Sequence, residues 1–306
     1  MSNPWKDYLQ NFRDNLPTGV TYREDIARYI FNDKHFILPN DVVRYKNYLE
    51  KLGFGETFDP DAQTYITAVE TADGEPLEAG VKDAINDFVV GCKADGIWDA
   101  LKASCIMAGA RTLNGCLVPL VGSAPTNFNF VSADYDRVTG LKGDGSTKYL
   151  DSNRANDADT QNSNHNSVFV TVSPIESGFF MGSGNVGNSG VNVMYRRDNN
   201  DFAVVSQGDG RSGVEERIAN QGDVPGFKGI SRNTGAEYTA RTGGQYITVT
   251  RTSAAPNSNN LLVFSSSGVP FIDPRLSFYS IGESIDLAAL DTRVSALMTA
   301  IDGAIA

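Results

Sequence analysis

The residues best suited to hold a ligand are aromatic side chains beside arginines in polar segments. A flat ring can stack on the apolar face of a sugar, while guanidinium and amide groups bind its hydroxyls. Tyr195 near Arg197 and Tyr238 near Arg241 have this composition, and Phe227 is a further aromatic of the same kind. Tyr195, Arg197 and Tyr238 are therefore candidate saccharide-binding residues. The alternative is that these residues belong to the core or to the ordinary solvated surface.

A second group of candidate ligands is a set of carboxylates in one polar stretch. Asp144, Asp151, Asp157 and Asp159 lie close together in sequence, and oxygen-rich loops of this kind can hold calcium. The segment that begins at Asp157 fails as an EF-hand, because its sixth residue is not glycine and its twelfth is not glutamate. Asp157 and Asp159 remain calcium candidates, with a solvated loop as the alternative, and no other cofactor is expected.

Signatures of catalysis are sparse. His35 and His165 are far apart and belong to no G-x-S-x-G or H-E-x-x-H motif, so a packing role for His35 and a loop position for His165 are predicted. Glu215 and Glu216 are adjacent and would point to opposite faces of a strand, unlike the facing carboxylates of a glycosidase. Residues 182–187 match G-x-G-x-x-G but continue into a strand pattern, which indicates a hairpin loop. We expect no enzyme.

Charge and composition restrict the partners. The 306 residues carry a formal net charge of −11, which would repel nucleic acid and anionic membranes. The chain has no apolar run long enough to span a membrane, and its start lacks a signal-peptide pattern. We therefore expect synthesis in the cytoplasm, with neither nucleic-acid binding nor membrane insertion. Cys92, Cys105 and Cys116 form no C-x-x-C pair and are predicted to be buried free thiols.

The pattern of apolar residues divides the chain into four regions. Residues 1–58 indicate three short aromatic-rich helices, too few for a core of their own, which we expect to dock on another surface. Residues 59–122 predict a helical collar, with a buried helix over 97–110. Residues 123–285 show short strand-like runs between turns, and 286–306 predict a helix. The expected fold class is α+β multidomain, with N-terminal helices, an antiparallel β-sandwich and a C-terminal helix.

The end of the chain changes from strand to helix. Arg275–Ile281, the last of nine predicted strands, is apolar on both faces and should lie inside a sheet. An apolar stripe then follows at helical spacing, with Ser284 or Asp286 as its cap. The stripe consists of Leu287, Leu290, Val294, Leu297 and Ile301. This helix either packs back on the sheet or pairs with copies of itself, and with the aromatic-rich start it motivates an expected homotrimer.

Two segments of the sequence are similar to segments of known proteins. The first runs from Ile97 through Leu150, within GIWDALKASCIMAGARTLNGCLVPLVGSAPTNFNFVSADYDRVTGLKGDGSTKYLDSNR, and the second is RLSFYSIGESIDLAALDTRVSALMTAI at the end. Both resemble a module of virion-associated proteins of marine phages and cyanophages. The resemblance covers about residues 61 to 306 and implies a concanavalin-like, LamG-like jelly roll carried by a tail fibre or another virion appendage.

The resemblance also implies a function. We expect a phage virion structural protein that is located in the virion and works by assembly and host adhesion. Residues 1–58, which match nothing recognisable, would attach it to other virion proteins. One alternative is a capsid decoration protein without host contact. Another is a lectin-like protein that binds a host-surface polysaccharide, and the sequence leaves both alternatives open.

Overall fold

The computed structural model describes residues 58–208, 215–267 and 271–305. The described residues after Pro60 belong to one compact unit. Apart from Phe58, the helical head predicted for residues 1–58 lies outside the described residues, and His35 lies there with it.

Four helices flank or interrupt the strands of the described part. They are α1 (Pro60–Asp73), α2 (Ala79–Ala94), the single turn α3 (Leu113–Cys116) and α4 (Leu287–Ile305). Two short 3-10 turns are also present, Trp98–Ala100 and Ser132–Asp134. No helix among these residues is both long enough and apolar enough to cross a membrane.

Fifteen antiparallel strands in the described residues form two sheets. The eight-stranded sheet contains β1 (Leu101–Ile106), β3 (Tyr135–Asp136), β4 (Gly140–Lys142), β6 (Asn164–Val172), β11 (Gly226–Arg232), β12 (Glu237–Thr242), β13 (Gln245–Thr250) and β15 (Arg275–Gly282). The seven-stranded sheet contains β2 (Thr126–Phe128), β5 (Tyr149–Ala155), β7 (Gly178–Gly182), β8 (Asn192–Arg196), β9 (Phe202–Ser206), β10 (Glu216–Ile218) and β14 (Asn260–Val263). This β-sandwich, with helices before and after it, confirms the predicted fold class.

The order of strands places β15, the last of the described strands, inside a sheet. The larger sheet runs β13-β12-β11-β6-β15-β4-β3, and β1 also pairs with β15. The smaller sheet runs β10-β9-β8-β7-β14-β5-β2. β15 is therefore hydrogen-bonded on both edges, as its apolar character on both faces predicts.

Contacts between the sheets identify the inner face of the smaller one. Lys228 of β11 places its Nζ 5.4 Å from the ring centre of Phe180 and 5.0 Å from that of Phe202. Tyr238 of β12 donates its hydroxyl to the carbonyl oxygen of Val204 at 3.1 Å. Phe202 and Val204 thus face the core, and because side chains alternate along a strand, their neighbours in β9 face outward.

The segment predicted to be a buried helix, residues 97–110, is mainly a strand. After the 3-10 turn Trp98–Ala100 the chain enters β1, which pairs with β15 and sets Cys105 opposite Tyr279. Side chains on both faces of β1 are buried. A short apolar run without alternation fits a helix and a buried strand equally well, so periodicity could not separate them. The helix prediction is wrong, and part of the expected collar at 59–122 belongs to the sandwich.

Helix α4 packs on its own chain. Asp286 caps it, because its Oδ1 accepts from the backbone N–H groups of Ala288 at 2.8 Å and Ala289 at 3.2 Å. All five residues of the apolar stripe are buried, and the helix contacts α2 and β11. This confirms the first of the two predicted arrangements. Because α2 and β11 already cover the stripe, it gives no support to a homotrimer. The expected homotrimer stays a prediction.

The three cysteines are buried free thiols, as predicted. Burial raises the pKa of Cys92 and of Cys105 to about 12. Burial also raises the pKa of Cys116 well above its ordinary value. The thiols are therefore protonated at neutral pH and behave as small apolar side chains.

His165 lies in β6 and is buried, so the predicted loop position is wrong. Its Nδ1–H donates to the carbonyl oxygen of Glu283 at 2.6 Å, and its Nε2 lies 2.9 Å from the hydroxyl of Ser280. Because the carbonyl can only accept, the neutral ring carries its hydrogen on Nδ1 and accepts from Ser280. Burial lowers the pKa of His165 to about 4. The polar residues that flank His165 give this part of the sequence a composition typical of a loop.

We expect His165 to make the fold sensitive to mild acid. Its folded pKa of about 4 lies below the value of about 6.5 for an exposed histidine, so the unfolded chain binds the extra proton between these values. The free energy of unfolding should therefore fall as pH is lowered through this window, by about 3 kcal/mol. Urea unfolding of the wild type and of His165→Gln across the window measures the difference in slope. Parallel curves for the two proteins would contradict the prediction.

Candidate functional site

A pocket of about 590 Å³ opens beside β7, β8 and β10 of the smaller sheet. Its lining combines two aromatic rings, three arginines and two asparagine amides. We call it the Tyr195 pocket, and the lining residues that matter here are Phe179, Val186, Tyr195, Arg197 and Arg217. It thus contains two of the three predicted saccharide-binding residues.

Strand register places four side chains of this region in one row. Phe179 lies opposite Tyr195, Tyr195 opposite Ala203, and Ala203 opposite Arg217. Residues directly opposite each other in a sheet share a face. Since Phe202 faces the core, its neighbour Ala203 and the whole row face outward. The pocket therefore lies on the outer face of the sandwich.

The ring of Tyr195 is held by contacts on two sides. It packs on Phe179, with ring centres 5.1 Å apart, above a buried apolar cluster that includes Val193 and Val205. The guanidinium of Arg197 lies 5.9 Å from the ring centre, and its Nη1 donates to the tyrosine hydroxyl at 3.1 Å. Burial raises the pKa of Tyr195, so the hydroxyl is neutral at physiological pH. The arrangement is a half-buried ring with a polar end.

Glu215 holds two arginines of the pocket together. Its Oε1 accepts from Nη1 of Arg197 at 2.6 Å and from Nη2 of Arg217 at 2.5 Å. The carboxylate side chain is 5% exposed, whereas the arginine side chains are 34% and 43% exposed. Burial by itself would raise the pKa of Glu215, but the hydrogen bond from Arg217 and both positive charges lower it. Glu215 is therefore ionised and positions two solvent-accessible guanidinium groups.

Tyr238 is a core residue, and its prediction as a saccharide-binding residue is wrong. It is 1% exposed, donates its hydroxyl to a backbone carbonyl of β9, and stacks below the guanidinium of Arg232 at 5.0 Å. Phe227 is buried as well, and Arg241 forms an ion pair with Asp291 at 2.7 Å. An aromatic residue beside an arginine looks the same in sequence whether its ring faces the core or solvent.

The carboxylates considered for calcium are partly engaged within the chain. Asp159 is buried and bound by Arg154, with Nη2 at 2.5 Å and Nε at 3.1 Å. Asp144 accepts from the backbone N–H and the hydroxyl of Thr147, whereas Asp157 is exposed. Within the described ranges, no group of three or more His, Cys, Asp or Glu is arranged to hold a metal. Calcium binding at Asp157 and Asp159 stays a prediction.

The glycine-rich segment 182–187 joins β7 to β8, and the chain then continues as a strand. Asn188 donates its backbone N–H to the carbonyl of Asn185 at 2.9 Å, which closes a turn there. The predicted hairpin loop is confirmed. The loop brings Asn185 and Val186 to the rim of the Tyr195 pocket, a role that the motif itself did not indicate.

A second aromatic pair lies at the other end of the smaller sheet. Phe128 of β2 stacks on Tyr149 of β5, with ring centres 4.3 Å apart and planes 4° from parallel. Tyr149 lines a further polar depression of about 610 Å³ together with Asp151 and Asn260. Neither ring was a sequence candidate, because each belongs to a short strand rich in polar residues.

The chain matches no protein-family model and no curated protein. Among solved structures, the NanB sialidase from Streptococcus pneumoniae is 14% identical over 49% of this chain and 27% of that chain, with a TM-score of 0.34. The binding domain of Botulinum Neurotoxin DC in complex with SialylT is 14% identical over 49% and 39%, with a TM-score of 0.36.

A third structure is the Ruminococcus gnavus IT-sialidase CBM40 bound to alpha2,3 sialyllactose. It is 11% identical over 44% of this chain and 84% of that chain, with a TM-score of 0.33. The chain spans about a quarter of the sialidase chains to which it aligns. Likeness at this level identifies neither a family nor a function for this protein.

Proposed function

We propose that this chain is a virion appendage subunit whose β-sandwich binds a host-surface saccharide in the Tyr195 pocket. The observation that carries the binding role is the geometry of the pocket. The ring of Tyr195 is half-buried and anchored, and Arg197, Arg217 and two asparagine amides surround it on an open outer face. Sites for sugars combine such an apolar surface with a few placed polar groups.

The role is binding and not catalysis. A glycosidase needs one carboxyl group that stays protonated near neutral pH, beside a second that is ionised. Two arginines lower the pKa of Glu215, so this residue is a poor general acid. Glu216, its neighbour in sequence, is exposed on the edge strand β10. The pocket can therefore hold a sugar, while its buried carboxylate serves to position arginines.

The virion role rests on the two segments that resemble phage and cyanophage proteins. In the fold these segments are neighbours, because β1 of the first pairs with β15 of the second. Both segments contribute strands to the larger sheet, and the first also supplies β2 and the start of β5 to the smaller one, whereas the Tyr195 pocket lies beside β7, β8 and β10. In this proposal the resembling module carries the pocket, and residues 1–58 attach the module to other virion proteins. Immunogold labelling of particles tests this: label on tail fibres supports it, and label spread over the capsid supports decoration instead.

The saccharide-binding role predicts a specific loss in Tyr195→Ala. Removing the ring should weaken binding about tenfold or more, because the stacking surface and its hydroxyl disappear together. Tyr195→Phe keeps the ring and should retain most of the affinity. The measurement is a glycan array screen followed by calorimetry on the best ligand.

Tyr246→Ala is the matched control, since it removes an exposed tyrosine from the other sheet. Thermal melting of each variant shows that the fold is intact. Equal affinity of Tyr195→Ala and Tyr246→Ala for the best ligand would mean that the site lies elsewhere.

A further inference from the structure

We infer that the saccharide held in the Tyr195 pocket carries a carboxylate, which Arg197 and Arg217 bind together. The inference rests on the proposed saccharide-binding function and adds the chemical class of the ligand.

The pocket is positively charged within an acidic protein. Its charged lining residues are Arg196, Arg197, Arg217 and Asp198. With Glu215 beneath them, these groups leave an excess of one positive charge, although the whole chain has a net charge of −11. Because arginine stays protonated at any physiological pH, this excess is permanent. The chain therefore gathers cationic groups where a neutral sugar would not need them.

The two arginines are pre-organised by one buried carboxylate oxygen. Each bond to Glu215 engages a single nitrogen of a guanidinium, Nη1 in Arg197 and Nη2 in Arg217, and both arginine side chains reach solvent. A guanidinium is a planar fork of N–H donors that matches the two oxygens of a carboxylate. Holding both forks in place before the ligand arrives reduces the entropy lost on binding. Glu215 is thus a positioning residue.

The neighbouring ring restricts what kind of anion fits. Tyr195 offers an apolar face within the same pocket, which suits a sugar ring that carries one acidic group. These features fit a saccharide whose sugar rings each carry a single carboxylate, such as a hexuronic acid.

Calorimetry on the full chain tests the inference with three probes. They are an oligogalacturonate, the same oligosaccharide with its carboxyl groups reduced to alcohols, and a sulfated neutral oligosaccharide. The oligogalacturonate should bind about tenfold or more tightly than the reduced form, because a hydrogen bond to a charged group contributes more than a neutral one. This preference should shrink as salt is added.

Variants assign the preference to the arginine pair. Arg217→Gln should lose about tenfold in affinity for the oligogalacturonate and little for the reduced form. Arg217→Lys keeps the charge but lacks the planar fork and should show an intermediate loss, which also covers the case in which the glutamine variant fails to fold. The control is Arg293→Gln on α4, which removes the same charge far from the pocket in sequence and should bind like the wild type.

The outcomes separate this inference from the proposed function. Equal binding of the oligogalacturonate and its reduced form overturns the inference and leaves saccharide binding intact. Tightest binding of the sulfated probe also overturns it, in favour of a different anion. Binding of none of these probes, together with an empty glycan array, overturns both.

Discussion

Replacing Arg232 with methionine should lower the free energy of unfolding by about 4 kcal/mol. Arg232 ends β11 and is completely buried, with its guanidinium stacked 5.0 Å from the ring centre of Tyr238. The guanidinium donates to four backbone carbonyls, those of Ser206, Thr234, Glu237 and Arg251. These carbonyls come from both sheets, so one side chain ties the sandwich together at this end.

Methionine has a similar length but no donors, so the four carbonyls would lose this partner inside the fold. An unpaired buried polar group costs about 1 to 3 kcal/mol, and the neighbours can relax only in part. The matched control is Arg293→Met, which removes a partly exposed arginine paired with Asp95 at 2.7 Å. A solvent-exposed pair of this kind contributes little to the free energy of unfolding. Urea unfolding at neutral pH compares the two, and similar losses would contradict the role given to Arg232.

The stability of the protein should rise as pH increases from about 7 to about 8.5, and Lys228→Met should remove this rise. Lys228 lies between the sheets, fully buried against the rings of Phe180 and Phe202. Its ammonium group donates to the carbonyl of Gln221 and to the hydroxyl of Thr242. Burial lowers the pKa of Lys228 to about 7, and the charge of a nearby aspartate offsets this only in part.

The direction of the effect follows from proton binding. An exposed lysine has a pKa of about 10.4, so above pH 7 the unfolded chain holds a proton that the folded chain has released. The free energy of unfolding then rises with pH, in total by about 5 kcal/mol for this group. Above about pH 8.5, Cys92 and Cys105 oppose this rise in the free energy of unfolding. Their pKa values are raised in the folded chain, so the unfolded chain loses these thiol protons at a lower pH than the folded chain does. The rise should therefore flatten or reverse there.

The difference in the free energy of unfolding between the wild type and Lys228→Met isolates the contribution of the lysine, since both proteins contain the same cysteines. Urea unfolding at several pH values from about 6.5 to about 9.5 gives that difference. Lys102→Met, which removes a partly exposed lysine paired with Glu283, is the control and should run parallel to the wild type. If Lys228→Met also runs parallel, the pKa of Lys228 is not lowered in the folded chain, which would contradict the prediction.

The sandwich could be predicted because apolar and polar residues alternate along most of its strands, and turn residues mark the strand ends. Each of the nine predicted strands overlaps an observed one. β11 and β12 were missed because Lys228, Arg232 and Arg241 give them the polarity of a surface loop, whereas two of these side chains lie in the core. The sequence predicts a helix at β1 for the opposite reason, since apolar residues on both faces hide the two-residue period of a strand.

The binding site could be predicted only in part. Tyr195 and Arg197 are close in sequence and share the outer face of β8 and its turn. Their residue types and spacing were therefore enough to predict them as site residues. Glu215 and Arg217 join them through the register of β8, β9 and β10, which no local pattern specifies. Tyr238 was misassigned because the sequence does not reveal which face of β12 meets the other sheet.

The place of β15 has a consequence for how the protein folds. Cys105 of β1 and Tyr279 of β15 lie opposite each other but are 174 residues apart in the chain. Pairings this distant in sequence slow folding, and during synthesis the larger sheet lacks this inner strand until β1 to β14 have all been made. The consecutive strands β7, β8 and β9 need no such partner. A nascent chain can therefore assemble much of the face that carries Tyr195 before the sheet that supports it closes.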